Sequence, residues 1–293
     1  MSILDRTPRV VAVLAALAIA SVAAVGCGDD DEDSGGDDTS KVTITATGGE
    51  GSQTFEVDPG DLIAGAAEIE LVNDSETPVD GQLGYVSGDY TEEEVAEQFS
   101  NAVTGRKPVE DWFQGGGGPG TTEPGETGTV TQDLQPGTYY VLPGNDLPEP
   151  PLAKFTVADG DGADLPETDG TVTAVDYSFS GDGLTAGSNE VTLQNDGEQW
   201  HHFLAAKLKD DATIEQAQEF LQSEGQGGGP PPFEGDVEAG NAVESTVMEG
   251  GTSQVVTAEF EPGTYAFFCF IADKQGGPPH VVKGMVSEVE VSE

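Results

Sequence analysis

Residues that bind soft metals or form disulfide bonds are scarce in this sequence. Its 293 residues include two cysteines, three histidines and three methionines. Two cysteines are too few for a disulfide framework. No Ser-His-Asp set is credible, because the same three histidines fit another kind of site better. The glycine runs follow helical segments and do not open a helix after a strand, which excludes a nucleotide phosphate-binding loop.

Basic residues are also rare. Lysine and arginine total 10 against 55 aspartates and glutamates, which gives a formal net charge of −45. Such a surface repels a polyanionic backbone, so nucleic acid is excluded as a partner. The acidity suits docking to a basic partner protein, or a solvated surface without a specific partner. The sequence does not indicate an oligomeric state.

The N-terminal apolar run covers residues 10–25 and is short for a membrane-spanning helix, which needs about 20 residues. Arg6 and Arg9 precede the run, and basic residues before a short apolar core are typical of an export signal. The sequence therefore predicts a signal peptide over 1–26 and an exported protein. The alternative is that the run is retained as a membrane anchor.

The apolar run ends in the letters AVGC at 24–27. This ending resembles the lipobox of bacterial lipoproteins. The resemblance implies lipidation of Cys27 and anchoring to the outer face of the cytoplasmic membrane or cell envelope. Residues 27–40 are rich in Asp and poor in apolar side chains, which predicts an acidic flexible linker. A lipidated Cys27 leaves Cys269 as the sole thiol, without an intramolecular disulfide partner.

The remaining sequence contains two copies of one plan. The segment AEIELVND (67–74) matches NEVTLQND (189–196), and LQPGTYYVL (134–142) matches FEPGTYAFF (260–268). The two copies predict two tandem domains of similar structure, which we place at 41–159 and 170–293.

Each copy also carries one short helical segment, at 91–103 and at 213–223. Elsewhere, short runs alternate apolar and polar residues between turn residues, which is the pattern of half-buried strands in a β-sandwich. The sequence therefore predicts an all-β fold with one short inserted helix in each domain. The alternating runs are 41–47, 171–179, 253–260 and 285–291, and the helical segments open with the capping boxes Thr91 with Glu94 and Thr213 with Gln216.

The stretch FFCFIADKQGGPPHVVKGM gathers most of the scarce residues. It holds Cys269, His280 and Met285, and the other two histidines stand side by side as His201 and His202. One thiolate, two imidazoles and a weak thioether form the ligand set of a blue-copper centre. The alternative is that Cys269 fills the apolar core, since free cysteine is among the most buried residue types.

These residues resemble the motif of the cupredoxins, the blue-copper family of plastocyanin. A Pro-Gly-Thr-Tyr turn at 262–265 precedes Cys269, and the last histidine precedes a Gly-Met pair that leads into the final strand. The resemblance covers about 170–293 and implies a Greek-key β-sandwich with one type 1 copper ion. The implied ligands are His201, Cys269, His280 and Met285.

The choice between the two adjacent histidines stays open. The family pattern favours His201, whereas strand alternation places His202 on the same face as Leu204. The letters HVVKGM are also similar to the ligand loop of copper nitrite reductases. In this family the histidine of that loop is usually partly exposed, which implies that electrons leave through His280.

The first copy lacks every residue that the site needs. Its positions Val79, Asp80 and Pro143 correspond to the first two histidines and the cysteine of the second copy, and residues 41–160 contain no His, Cys or Met. We therefore expect the first domain to be a degenerate cupredoxin-like sandwich without a metal site.

The resemblance implies a membrane-tethered, extracytoplasmic copper-binding protein that carries single electrons to or from a basic redox partner. We expect no enzyme activity, because copper enzymes of this fold use further copper centres and many more than three histidines. The alternatives are a metal-free cell-surface interaction module, and copper buffering or delivery without electron transfer.

Overall fold

The computed structural model describes residues 40–49, 52–105, 107–142, 152–223, 230–235 and 243–293. The predicted signal peptide, Cys27 and nearly all of the predicted linker lie outside these residues and stay predictions. Within the described ranges no helix combines the length and apolarity that crossing a membrane requires.

The first half of the described chain folds into two facing four-strand layers and one helix. Strands β2, β1, β3 and β6 lie side by side in one layer, and β5, β4, β7 and β8 form the other. The elements are β1 (Ser40–Thr47), β2 (Thr54–Asp58), β3 (Gly65–Asn73), β4 (Leu83–Val86), α1 (Glu92–Thr104), β5 (Phe113–Gly115), β6 (Thr127–Leu134), β7 (Gly137–Val141) and β8 (Ala153–Val157).

The second half repeats this topology strand for strand. Its layers have the orders β10-β9-β11-β14 and β13-β12-β15-β16. The elements are β9 (Gly170–Val175), β10 (Ser178–Asp182), β11 (Gly187–Asn195), β12 (Leu204–Lys207), α2 (Ile214–Gln222), β13 (Val243–Glu244), β14 (Ser253–Phe260), β15 (Gly263–Phe268) and β16 (Val286–Val291). The prediction of an all-β fold of two tandem β-sandwiches, each with one short helix, is confirmed.

The two halves share a sheet. Strand β14 pairs antiparallel with β6, so one layer of each half joins into a single sheet of eight strands. The described part of the chain clusters into one compact unit. The proposed domain limits of 41–159 and 170–293 therefore stay a prediction.

Alternation along the strands produces the two cores. In β1 the buried residues are every second one, Val42, Ile44 and Ala46, because successive side chains of a strand point to opposite faces. The second core is built in the same way and takes residues from β9 to β16, including Cys269. Both copies thus contain half-buried strands, as the alternation in the sequence predicted.

The repeated PGTY segment makes the same corner in both halves. Gly137 and Gly263 have φ angles of 150° and 137°, which side chains rarely adopt. The hydroxyls of Tyr139 and Tyr265 then accept backbone N–H bonds of 2.9 and 3.0 Å from the residue four positions earlier. This corner sets the start of β15, the strand that leads to Cys269.

Both predicted capping boxes are confirmed. Thr91 and Thr213 each accept a bond from the third helical N–H, and Glu94 and Gln216 each accept one from the cap N–H. Helix α1 covers the outer face of the layer β5-β4-β7-β8. Helix α2 covers the outer face of the layer β13-β12-β15-β16.

One predicted strand is wrong. The run 171–179 is not continuous, because Asp176 and Tyr177 form a two-residue turn between β9 and β10. The strand that leads to Cys269 also ends one residue before it, at Phe268.

Candidate metal centre

Three soft donor atoms meet at one end of the second sandwich. Nδ1 of His201 lies 3.0 Å from Nδ1 of His280, and Sγ of Cys269 lies 3.4 Å from the same His280 atom. The donor atoms of the three residues all lie within 4.8 Å of one another. All three side chains are fully buried. Residues that are 79 positions apart in the sequence are thus brought into contact.

The backbone around the centre holds each donor in place. His201 exchanges two hydrogen bonds with Met248, of 3.0 and 2.8 Å, immediately before β12. The loop after Cys269 folds back, so that the N–H of Val281 donates to the Cys269 carbonyl at 2.8 Å. The N–H of His280 donates to the Ile271 carbonyl at 2.8 Å. The histidine of the loop is thereby fixed beside the thiol.

A carboxylate faces the outer nitrogen of each of these histidines. Nε2 of His201 lies 3.4 Å from Oδ1 of Asp176, and Nε2 of His280 lies 2.9 Å from Oδ1 of Asp273. A carboxylate only accepts hydrogen bonds, so it holds the imidazole proton on Nε2. The lone pair of each Nδ1 is then directed to the interior, where the thiol lies.

Burial keeps the three donors uncharged. Burial, together with the neighbouring His280 imidazole, lowers the pKa of His201 to about 4. Burial also lowers the pKa of His280. Burial raises the pKa of the Cys269 thiol to about 12. At pH 7 both imidazoles are neutral and the thiol is protonated in the metal-free protein.

Met285 lies in the same buried cluster as Cys269 and is fully buried. Its N–H donates to the His280 carbonyl at 2.9 Å, so the backbone of Met285 is bonded to the histidine loop. Met248 is buried in this cluster as well.

His202 has a different environment from His201. Its Nε2 accepts the backbone N–H of Phe270 at 2.7 Å, and burial lowers its pKa to about 3. The structure therefore places His201, and not His202, against Cys269 and His280. His201 precedes β12, so the strand alternation that favoured His202 does not extend to this position.

The expected exposure of His280 is wrong. Its side chain is fully buried, because Tyr177, Asp273 and Lys283 cover it. Sequence reasoning missed these three residues and Asp176. The one signal in the sequence was the pair Asp176 and Tyr177 within the alternating run 171–179, since aspartate is common in turns.

The first half packs against a residue next to the centre. Trp200, which precedes His201, packs among buried residues of the first half such as Phe99 and Phe113. Its Nε1–H donates to the Ala272 carbonyl in the histidine loop at 2.6 Å. Of the first-copy positions that correspond to the site, Val79 is buried in the core of the first half, and Pro143 lies outside the described residues.

The donor set fits a type 1 copper site. A metal bound at about 2.0–2.3 Å to nitrogen and sulfur needs donor atoms no more than about 4.6 Å apart, and the separations of 3.0 and 3.4 Å fall within this limit. One thiol, two neutral imidazoles and a nearby thioether are the soft and borderline ligands that copper selects.

Solved structures that are similar to this chain include copper proteins. An auracyanin from Roseiflexus castenholzii is 20% identical, covers 42% of this chain and 95% of its own, and has a TM-score of 0.26. A copper nitrite reductase from Nitrosomonas europaea is 15% identical, covers 87% of this chain and 94% of its own, and has a TM-score of 0.23. The chain is similar to these copper proteins at low sequence identity. No protein-family model and no curated protein matches the sequence.

These matches contradict the prediction that the chain is not an enzyme. The nitrite reductase spans most of this chain, and so does a multicopper oxidase from Pediococcus acidilactici, which is 11% identical, covers 87% of this chain and 59% of its own, and has a TM-score of 0.22. Enzymes are therefore among the solved structures that are similar to this chain. The small number of histidines does not justify excluding enzyme activity.

Proposed function

We propose that the second half binds one copper ion through His201, Cys269, His280 and Met285, and that this centre transfers single electrons. The observation that supports the proposal is the meeting of two Nδ1 atoms and one Sγ at 3.0 and 3.4 Å in a fully buried site. Bound copper would supply one-electron chemistry by alternating between Cu(I) and Cu(II).

Residues around the centre would make electron transfer fast by holding the ligands in a fixed arrangement. Asp176 and Asp273 orient the two imidazoles from outside, and the backbone bonds of Met248 and Val281 hold His201 and Cys269. Burial keeps water from adding to the ligands. A ligand set that keeps its arrangement in both oxidation states loses little energy to reorganisation, which is the role of preorganisation in protein sites.

The surroundings of the centre supply arguments for and against the alternative functions. Full burial of the donors favours electron transfer over handover of the ion, because a delivery protein must expose its ligands to the recipient. The metal-free alternative is favoured by the place of Cys269 in the apolar core. It is opposed by the two imidazole nitrogens that face the thiol.

We further propose that the protein is exported and anchored by lipidation of Cys27, with the acidic segment 27–40 as a spacer. The sequence pattern of the N-terminus supports this part. The net charge of −45 supports a basic redox partner, since complementary charge raises the rate of encounter.

The test uses the exported chain, residues 28–293, with added Cu(II). We expect an intense visible absorption band from thiolate-to-copper charge transfer and uptake of one copper ion per chain. Cys269→Ser should abolish the band, and Asp80→Asn at the corresponding region of the first copy should leave it unchanged. A colourless protein that takes up no copper would favour the metal-free interaction module.

A further inference from the structure

His280 is covered by a layer of three side chains that belong to two different loops. The Tyr177 ring stands edge-on to the imidazole, with ring centroids 5.3 Å apart and an interplanar angle of 74°. The Tyr177 hydroxyl donates to Oδ1 of Asp273 at 3.0 Å, the atom that also lies 2.9 Å from His280 Nε2. The imidazole therefore has no free edge towards solvent.

Lys283 closes this cover. Its Nζ donates to the Tyr177 hydroxyl at 3.0 Å and also to Oδ2 of Asp273. The same ammonium group lies 4.5 Å from the centroid of the Tyr177 ring, a distance at which a cation is attracted to the ring face. Tyr177, Asp273 and Lys283 thus fix one another, and we call these three residues the cover.

The backbone of Tyr177 is held in an unusual conformation. Its φ is 69°, and it is the single non-glycine residue with a positive φ in the described part of the chain. A bulky side chain rarely adopts this region, and such residues persist where the surrounding structure holds them, often at functional sites. Glycine would make the same turn without strain. The strain accompanies a side chain that lies directly on a candidate metal ligand.

We propose that Tyr177 is the residue that determines which reagents reach His280. The ring bars direct contact with the imidazole, so a redox partner must dock on the ring. One electron then passes between the centre and the partner across the His280 and Tyr177 rings, and no bond forms or breaks. The part that concerns electrons rests on the proposed copper function; the shielding of His280 does not.

The shielding is tested in the copper-free full chain with diethyl pyrocarbonate, which acylates accessible imidazoles. Tyr177→Gly removes the ring and suits the positive φ, so the fold should be retained. Peptide mass spectrometry measures the rate at which His280 is acylated. We expect this rate to be several-fold higher in Tyr177→Gly than in the unaltered protein. Tyr177→Phe keeps the ring and should behave as the unaltered protein.

Phe270→Leu is the matched control, because Phe270 is an exposed aromatic residue beside His202. It should change the acylation of His202 and leave that of His280 unaltered. Equal acylation of His280 in Tyr177→Gly and the unaltered protein would overturn the proposal. Equally fast acylation in Tyr177→Phe and Tyr177→Gly would also overturn it, since the ring would then not be the shield.

The copper-loaded chain provides the second readout. The reduced protein is mixed with the cationic tris(phenanthroline)cobalt(III) complex, which accepts one electron. We expect Tyr177→Gly to react several-fold faster with an unchanged visible band, because the complex can approach the imidazole, and Phe270→Leu to react at the original rate. An unchanged rate in Tyr177→Gly would contradict the role in access. Failure to bind copper would contradict the proposed function. The acylation result would still test whether Tyr177 shields His280.

Discussion

At the scale of single residues, the protonation of the donors sets the conditions for metal binding. His201 has a pKa of about 4 and the Cys269 thiol a pKa of about 12. A metal must therefore displace one proton, from sulfur, and none from the imidazoles at neutral pH. Metal affinity falls with acidity to the extent that protons compete for the ligands.

This protonation state predicts a specific pH dependence. Between about pH 7 and pH 9 the affinity for Cu(II) should fall about tenfold for each unit of acidification, because one proton is displaced. Below about pH 4 the fall should steepen, since His201 then gains a proton as well. Competition titrations at several pH values measure the slope. A slope of two or three protons near neutral pH would show that the imidazoles are not neutral.

The two adjacent histidines predict opposite results on substitution. His201→Asn removes a donor that faces Cys269 and His280, so the visible copper band should be lost. His202→Asn should retain the band and destabilise the protein by about 1 kcal/mol, because the Phe270 N–H loses its acceptor. Absorption spectra and thermal denaturation separate the two effects. Loss of the band in His202→Asn alone would reverse the assignment.

The sequence predicted the donors but not their surroundings. Cys269, His280 and Met285 lie within one short stretch, so their spacing could be interpreted directly. Asp176 and Tyr177 contact residues 25 and about 100 positions away. Such contacts depend on how β9 and β10 are placed beside the histidine loop, which no local pattern specifies. The burial of His280 was missed for the same reason.

At the scale of elements, the loop between Cys269 and His280 is braced by the first half. Val109 donates its N–H to the Lys274 carbonyl at 2.7 Å. The Lys274 ammonium pairs with Glu249 at 2.8 Å, and both side chains are mostly buried. The other Glu249 oxygen accepts the Gly115 N–H at 3.1 Å. The first half thus supports the loop that carries one of the proposed ligands.

Breaking this brace should loosen the ligand loop. Lys274→Met removes the ion pair and leaves Glu249 partly buried, so we expect a loss of about 1–3 kcal/mol in the free energy of unfolding. The copper affinity should fall as well. The matched control is Lys107→Met, which breaks an ion pair with Glu97 between mostly exposed side chains and should cost less than about 1 kcal/mol. If Lys274→Met and Lys107→Met lower the stability equally in thermal denaturation, Lys274 does not support the ligand loop.

The elements themselves were largely predictable. Alternation located β1 and β14, and the capping boxes located both helices to within a residue. The prediction of one strand over 171–179 was wrong because the turn has only two residues. The strands on both sides of the turn keep the alternation of apolar and polar residues. A strained Tyr177 carries no sequence signature, because most residues with its φ are glycines.

At the scale of the whole molecule, the pairing of β6 with β14 makes the two halves depend on each other. Gln132 and Gln254 are opposite each other in this pairing and both are buried. Trp200 extends from the second half into buried residues of the first. Separate folding would expose this ring and the backbone edge of β14, and an exposed strand edge invites association with other chains.

This dependence predicts the behaviour of a shortened chain. Residues 160–293 contain every proposed copper ligand, but we expect this fragment to associate or to unfold at a lower temperature than residues 28–293. The fragment should also bind copper more weakly, because it lacks the Val109 bond and the packing around Trp200. Size-exclusion chromatography, thermal denaturation and copper titration compare the two proteins. If the fragment is monomeric, equally stable and equally blue, the second half is an independent domain and the first half gives the copper site no support.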